Sequence, residues 1–266
     1  MKTAVVTGAA GAIGSTICLR LLDRGYRVVA VDRDSAGLRR LPRHVMAVTA
    51  DLSDLTAGGI ITAAIETAGG RCDLLVHSAG VVVTGPVGLA EPEKLRQEQS
   101  VNLLGPIILT QALYPKLQQV GGQVITIASL ASMLPLAESP GYSASKAGIR
   151  AFMLALSLRT PETGVHISLI HPGAVDTPML RHEAANGGSA LNFLGTPLSP
   201  ERVADAVLDN LDKPRLETSL PRYGGCAVRL LGLFPATLEY VRPLFERMAG
   251  SRMQQYRRNN PPESSC

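Results

Sequence analysis

The sequence predicts an α/β fold in which helices cover both faces of a doubly wound parallel sheet. Two observations carry this expectation. Short β-rich runs alternate with runs of helical period along the whole chain, and most strand candidates are apolar at every position instead of every second one. A strand that is apolar throughout is buried on both faces, as in a parallel sheet lying between helices. With 266 residues, 45% of them hydrophobic, the chain can bury one sizeable core.

The elements follow in order. "TAVVTG" is a short β-rich run ending at Gly8, and "AIGSTICLRLLDRG" places Ile13, Ile17 and Leu21 at helical spacing with Gly25 as a stop. "YRVVAVDRD" and "HVMAVTADLSD" are the second and third strands, "GIITAAIETAGG" is helical, and "CDLLVHSAG" is the fourth strand. "EPEKLRQEQSVNLLGPIILTQALYPKLQQ" reads as a long helix disturbed near Gly105-Pro106. "GQVITIAS" is the fifth strand, "SPGYSASKAGIRAF" opens a second long helix, "HISLIHPG" is the sixth strand, and "RLETSLP" is a short seventh. Residues 1–225 form one domain on this reading. Residues 226–255 are an apolar and basic extension packing on it, and 256–266 are a polar, proline-containing flexible tail.

Composition narrows the function. The net charge is +4, but the basic residues are scattered. There is no Trp and only 4% of residues are aromatic, which disfavours nucleic-acid binding. Cys18, Cys72, Cys226 and Cys266 show no CxxC spacing, which fits free thiols in a reducing cytoplasm. The five histidines lack metal-ligand spacing, so no metal is expected. No apolar run is long enough to span a bilayer.

"VVTGAAGAIG" joins the first strand to the first helix. Gly8, Gly11 and Gly14 allow a tight turn and a close approach of backbone to a pyrophosphate, whose charge is favoured at a helix N-terminus. Asp32 ends the second strand, where a carboxylate accepts both ribose hydroxyls of adenosine and repels a 2′-phosphate. Arg33 beside it can either contact such a phosphate or flank the adenine. NAD is therefore expected in preference to NADP. Tyr142 and Lys146, four residues apart, share one helix face. Ser129 ends the fifth strand, at the edge where parallel sheets hold ligands. Asn102 is a poor mid-helix residue four positions before Pro106, which marks local irregularity.

Taken together, these stretches resemble the classical short-chain dehydrogenase/reductase family. The matching motifs are "TGAAGAIG" (Thr7–Gly14), Asp51-Leu52 after the third strand, "HSAG" (His77–Gly80), "VNLLG" around Asn102, Ser129, Tyr142 with Lys146, and "HPGAVDTPM" (His171–Met179). The resemblance implies a Rossmann-type domain, nicotinamide-dependent interconversion of an alcohol and a carbonyl compound, and a catalytic set of Asn102, Ser129, Tyr142 and Lys146. Tyr142 is then the general acid/base. A lysine charge at ~4 Å, with an effective dielectric of ~20, contributes about 4 kcal/mol, roughly three pKa units off a phenol that titrates near ~10. Ser129 hydrogen-bonds the substrate oxygen, and Asn102 holds a water that passes protons to Lys146. The resemblance also implies that Gly8, Gly11, Ala12, Ile13, Gly14, Asp32, Arg33, Asp51, Leu52, Ser78, Ala79, Gly80, Pro172, Gly173, Val175 and Thr177 contact the cofactor, along with Asn102, Tyr142 and Lys146.

Three features depart from the family pattern. Its usual TGxxxGxG loop here has Ala12 where glycine is common, which gives the GxxGxxG spacing of the extended branch. "HSAG" replaces the common NNAG, and the usual glycine-rich ending after the seventh strand is missing. The last point weakens the expectation of a tetramer and leaves a dimer through the two long helices. The stretch Arg181–Pro200 occupies the family's substrate lid. It offers Leu191, Phe193 and Leu194 with little fixed charge beyond Arg181 and Glu183, so a hydrophobic, non-anionic substrate is expected. The apolar and arginine-rich segment "LLGLFPATLEYVRPLFERMAG" reads as core or dimer packing, as a helix resting on lipid, or as a hydrophobic flap beside the lid that receives a bulky apolar substrate; a cofactor sensor that performs no turnover is the competing function.

Overall fold

The computed structural model describes residues 1–260. Its centre is a seven-stranded, wholly parallel sheet in the order β3-β2-β1-β4-β5-β6-β7. The chain runs β1 (Thr3–Thr7), α1 (Ala12–Asp23), β2 (Arg27–Asp32), α2 (Ser35–Leu38), β3 (Met46–Thr49), α3 (Ala57–Thr67), β4 (Leu74–His77), α4 (Pro92–Gln99) and α5 (Gly105–Val120). It continues with β5 (Gln123–Ile127), α6 (Pro140–Ser157), α7 (Thr160–Thr163), β6 (His166–Pro172), α8 (Pro178–Ala185), α9 (Pro200–Asp212), β7 (Glu217–Leu220), α10 (Arg222–Gly232) and α11 (Leu238–Asn259).

The unbroken apolarity of the strands has a direct cause. Successive side chains point to opposite faces of a sheet, and both faces are covered here. Val5, Val29 and Val31 pack with Ile61, Leu109 and Leu113 of α3 and α5 and with Ile149 of α6. Their neighbours Ala4, Val6, Val28 and Ala30 pack with Ile17 and Leu21 of α1 and Val203 and Val207 of α9.

The helical stretch before β5 contains the expected disturbance. Between α4 and α5, residues Ser100–Leu104 form a π turn. Pro106 lies in the first turn of α5. It has no N–H to donate to the carbonyl of Asn102, and its ring crowds that carbonyl, so the α-helical ladder cannot continue unchanged. Gly105 meets the neighbouring chain closely, since a Cβ there would lie 2.6 Å from the Leu52 carbonyl oxygen.

Two boundaries differ from those predicted. The domain edge expected at residue 225 falls inside α10, which starts directly after β7. The tail expected from residue 256 is helical as far as Asn259, and residues 261–266 lie outside the described residues. The reason is packing. The Tyr256 ring lies 5.0 Å from that of Phe193, and its hydroxyl donates to Asp176 Oδ1 at 2.6 Å. Ala249 and Met253 on the same face of α11 are buried against Leu180 and Ala184 of α8. The last turns of α11 face inward with Ala249, Met253 and Tyr256 and outward with polar residues such as Gln254, Gln255 and Arg257, so they stay helical where they are docked.

Candidate active site

The sheet order reverses between β1 and β4, the position where parallel α/β sheets open a crevice at their C-terminal ends. A cavity of about 300 Å³ lies there. It brings together Gly8, Gly11, Ala12, Ile13, Gly14, Asp32, Arg33, Asp51, Leu52, Ser78, Ala79, Gly80 and Thr177. Pro172, Gly173 and Val175 do not line it. Gly173 instead pairs through its N–H with the Leu220 carbonyl at 2.8 Å. Val175 is buried and bridged to Leu198.

Two of the three loop glycines are sterically required. Gly8 has φ +66°, and a Cβ there would sit 2.7 Å from Ala79 Cα, while a Cβ on Gly14 would sit 2.0 Å from the Gly8 carbonyl oxygen. Gly11 has φ −76° and room for a side chain apart from one oxygen at 3.3 Å. The shifted glycine spacing is therefore harmless: the turn and the helix–loop contact depend on Gly8 and Gly14, and Ala12 begins α1 without conflict. Gly11 is the N-cap of α1 and offers no side-chain cap, which leaves the first N–H groups of the helix available at the cavity.

Around this cradle, Asp32 accepts from the Ala10 N–H at Oδ2 (2.9 Å) and from the Asp34 N–H at Oδ1 (3.0 Å). Its carboxylate is thus fixed at the rim of the glycine loop. Asp51 Oδ1 is held by the Ser53 N–H and hydroxyl at 2.9 and 2.7 Å. Ser78 stands in the fourth-strand motif that departs from the family pattern. Its hydroxyl is buried with no partner, at the wall of the cavity, and the support comes from Thr7, whose Oγ1 accepts from the N–H groups of Ser78 (3.2 Å) and Ala79 (3.3 Å). A backbone cradle without Cβ atoms, uncapped helix N–H groups, a fixed carboxylate and an unpartnered hydroxyl together fit a dinucleotide.

The four chemical groups converge beside this cavity. Lys146 is buried, donates to the Ile127 carbonyl at 3.0 Å, and has its Nζ 5.6 Å from the centre of the Tyr142 ring. A Cβ on Gly80 would lie 3.4 Å from Asn102 Oδ1 and 3.6 Å from Lys146 Nζ, which places Asn102 next to the lysine. The Ser129 hydroxyl accepts from the Ala131 N–H at 3.1 Å and lies near enough to the Tyr142 phenol to lower it. The side chain of Asn102 is tied to the chain around it. Its side chain is buried and committed, with Nδ2 donating to the Val81 carbonyl (2.8 Å) and Ser145 Oγ (3.1 Å) and Oδ1 accepting from the Val81 N–H (2.9 Å). It pins the segment following Gly80 as a backbone partner would. The group left without its α-helical donor is the Asn102 carbonyl, opposite Pro106.

The electrostatics correct the simple picture of a lysine lowering a tyrosine. Burial raises the Tyr142 phenol well above the ordinary tyrosine range. Glu183 and Glu98 raise it further, and the Ser129 hydrogen bond offsets them only in part. Burial holds Lys146 down to about 8. The ammonium is directed at the Ile127 carbonyl, and desolvation dominates the phenol in the protein alone. Beneath it, burial and the Lys146 charge press His77 down to about 3. His77 is therefore neutral, with Nε2 2.9 Å from Thr110 Oγ1.

Sequence reasoning misses Glu98 and gives Glu183 only as a charge of the lid. Glu98 lies in a charge-rich helix with solvated neighbours such as Glu93, yet it is fully buried. Its Oε1 accepts from the Val83 N–H at 2.7 Å, and its Oε2 is unpartnered and abuts Gly141, next to Tyr142. Glu183 of α8 accepts from Asn192 Nδ2 at 2.9 Å, and burial pushes it up to about 7, with Glu98 adding to the rise. Nothing in the local pattern distinguishes these residues from surface glutamates; only the packing of α4 and α8 over the site does. The C-terminal end of α8 is tied to the loop after β4 by Thr84 Oγ1, which donates to the Asn186 carbonyl at 2.9 Å. His171 lies behind the site, with Nδ1 3.0 Å from Ser132 Oγ and Nε2 3.0 Å from Glu217 Oε1. That arrangement makes it a structural tie between β6 and β7.

A family profile described as short chain dehydrogenase matches residues 2–187. The chain is 30% identical over 221 residues to a 3-beta-hydroxysteroid dehydrogenase of Comamonas testosteroni, covering 78% of this chain and 87% of that protein. It is 34% identical over 227 residues to a 1-deoxy-11-beta-hydroxypentalenate dehydrogenase of Streptomyces avermitilis, covering 80% and 82%. Among solved structures, a 3-ketoacyl-(acyl-carrier-protein) reductase from Brucella melitensis complexed with NADH superposes with a TM-score of 0.71 at 26% identity, covering 82% of this chain and 96% of that one.

Proposed function

The chain belongs to the short-chain dehydrogenase family of oxidoreductases acting on CH–OH groups, and from that premise we propose that it interconverts a bulky, apolar alcohol and its ketone with NAD(H). The observation that carries this reading is the meeting of Ser129, Tyr142 and Lys146 at the edge of a cavity shaped for a dinucleotide. Asp32, fixed at the rim by two backbone N–H groups, would take the adenosine ribose hydroxyls. The N-terminus of α1 would take the pyrophosphate. When bound, the nicotinamide supplies the hydride acceptor or donor.

The remaining chemistry belongs to the chain. Tyr142 exchanges the proton of the substrate hydroxyl, and Ser129 donates to the substrate oxygen as negative charge builds there. Lys146 supplies positive charge beside the phenol, and the buried environment makes each of these interactions stronger than in water. Glu98 and Glu183, both close enough to raise the phenol, disfavour an anionic group near the reacting carbon. They support a neutral substrate. One relative's name, a hydroxysteroid dehydrogenase, supports the same class.

The test is the absorbance of NADH during turnover with a panel of steroid-like and small secondary alcohols and ketones. Turnover with the large apolar members supports the proposal, and a folded, NAD-binding protein that turns over none of them overturns it. Cofactor choice has its own test. Asp32→Ala should weaken NAD binding by about tenfold, the loss of one or two hydrogen bonds to a charged acceptor, and improve the relative use of NADP. A wild-type protein that already prefers NADP would mean that Arg33 outweighs Asp32.

A further inference from the structure

We propose that the outward face of the α10–α11 hairpin is a docking surface for an anionic lipid bilayer. The helix α11 has two unlike sides. Ala249, Met253 and Tyr256 form the side packed on α8 and the lid. At about 100° per residue, Tyr240, Leu244 and Met248 lie on the opposite side. They are exposed by 83, 59 and 59%. The preceding turn adds Leu230, Leu233 and Phe234, also mostly exposed, so six large apolar side chains face outward within nineteen residues. Scattered exposed apolar residues are ordinary on a protein surface, but a concentration of this size marks an interaction surface.

Charge identifies the occupant. Residues 222–258 hold seven arginines against two acidic residues, Glu239 and Glu246. Arg229 and Arg242 are used internally, on Glu217 and on Glu138 with Glu246. Arg222, Arg247, Arg257 and Arg258 make no ion pair among the described residues, and all four are exposed. On α11, Arg247 and Arg258 fall on the same side as Tyr240 and Leu244. An apolar ridge edged with unpaired arginine suits lipid headgroups that carry negative charge, with the ridge entering the acyl boundary. A second copy of the chain fits poorly. A two-fold contact would set the same arginines against one another, with few acids to compensate. No helix among the described residues is long and apolar enough to cross a membrane, so the surface would rest on the bilayer.

The test uses the full chain and sedimentation with vesicles. Wild type is expected to pellet with vesicles of phosphatidylcholine containing phosphatidylglycerol, to remain in solution with phosphatidylcholine alone, and to lose binding as salt is raised. The triple substitution Tyr240→Glu, Leu244→Glu, Met248→Glu and the double substitution Arg247→Glu, Arg258→Glu should each reduce pelleting by about tenfold or more. All five positions are exposed, and unchanged melting temperatures would show that the variants are folded. Failure of wild type to pellet, or pelleting unaffected by either variant, overturns the proposal. So does a wild-type dimer in light scattering that the triple substitution converts to monomer, because a second copy would then be the occupant.

Discussion

Tyr142→Phe is expected to reduce kcat by about 10²–10⁴-fold, the usual contribution of a positioned acid or base, while cofactor affinity measured by calorimetry stays close to that of wild type. The substitution removes one oxygen and keeps the ring. The oxygen is the atom the Ser129 hydroxyl contacts and the one whose proton is raised by burial, Glu183 and Glu98. The ring lies over the Lys146 ammonium at 5.6 Å, a contact phenylalanine preserves. Retention of more than about a tenth of the wild-type rate would remove Tyr142 from the role of proton carrier.

The raised phenol also bears on when the site becomes active. In the protein alone, three groups oppose a phenolate: the buried surroundings, Glu183 and Glu98. A phenolate therefore needs more positive charge than Lys146 provides by itself. The two carboxyls are not equivalent. Glu183 is held near about 7, so its charge at neutral pH is partial and responsive. Glu98 is pinned by the Val83 N–H and is raised by burial. In the protein alone this arrangement favours the protonated phenol.

Much of this was legible in the sequence, and the reasons are local. Gly8 and Gly14 are required by backbone geometry that any side chain would break, and such requirements appear in the sequence as glycine. Continuous apolar strands report burial on both faces, because each strand's alternate residues feed two cores. Pro106 announces the irregular turn at Asn102, because it denies the Asn102 carbonyl its α-helical donor and crowds it. What could not be read depends on which surface meets which. Glu98 looks like Glu93 until α6 closes over it. The Asn102 side chain looks free to hold water until Val81 occupies both its ends. The polar residues after 253 look like a tail until Tyr256 finds Phe193 and Asp176. In each case the residue type is ambiguous, and a contact more than ten positions away in sequence decides.

Lys146→Met should make the protein nearly inactive and more stable. Activity falls because the phenol loses the cation that lies over its ring. Stability rises because the lysine is held from its ordinary 10.5 down to about 8 by burial. The sign follows from proton linkage. Between pH 8 and 10.5 the folded state binds fewer protons at this site than the unfolded state, so wild-type stability increases with pH across that window. Below it, the buried ammonium costs about 3 kcal/mol in full. Methionine removes that cost and loses the hydrogen bond to the Ile127 carbonyl, worth about 1–2 kcal/mol when the acceptor is left unpaired. The net gain at pH 7 is about 1–2 kcal/mol, or roughly 2–6 °C in Tm for a chain of this size. The gap between variant and wild type should narrow as pH is raised from 8 to 10. Thermal unfolding of both proteins at pH 7, 8, 9 and 10 measures it. A variant that melts below wild type at pH 7, or a gap that does not change with pH, would show that Lys146 is not the strained buried cation its surroundings imply.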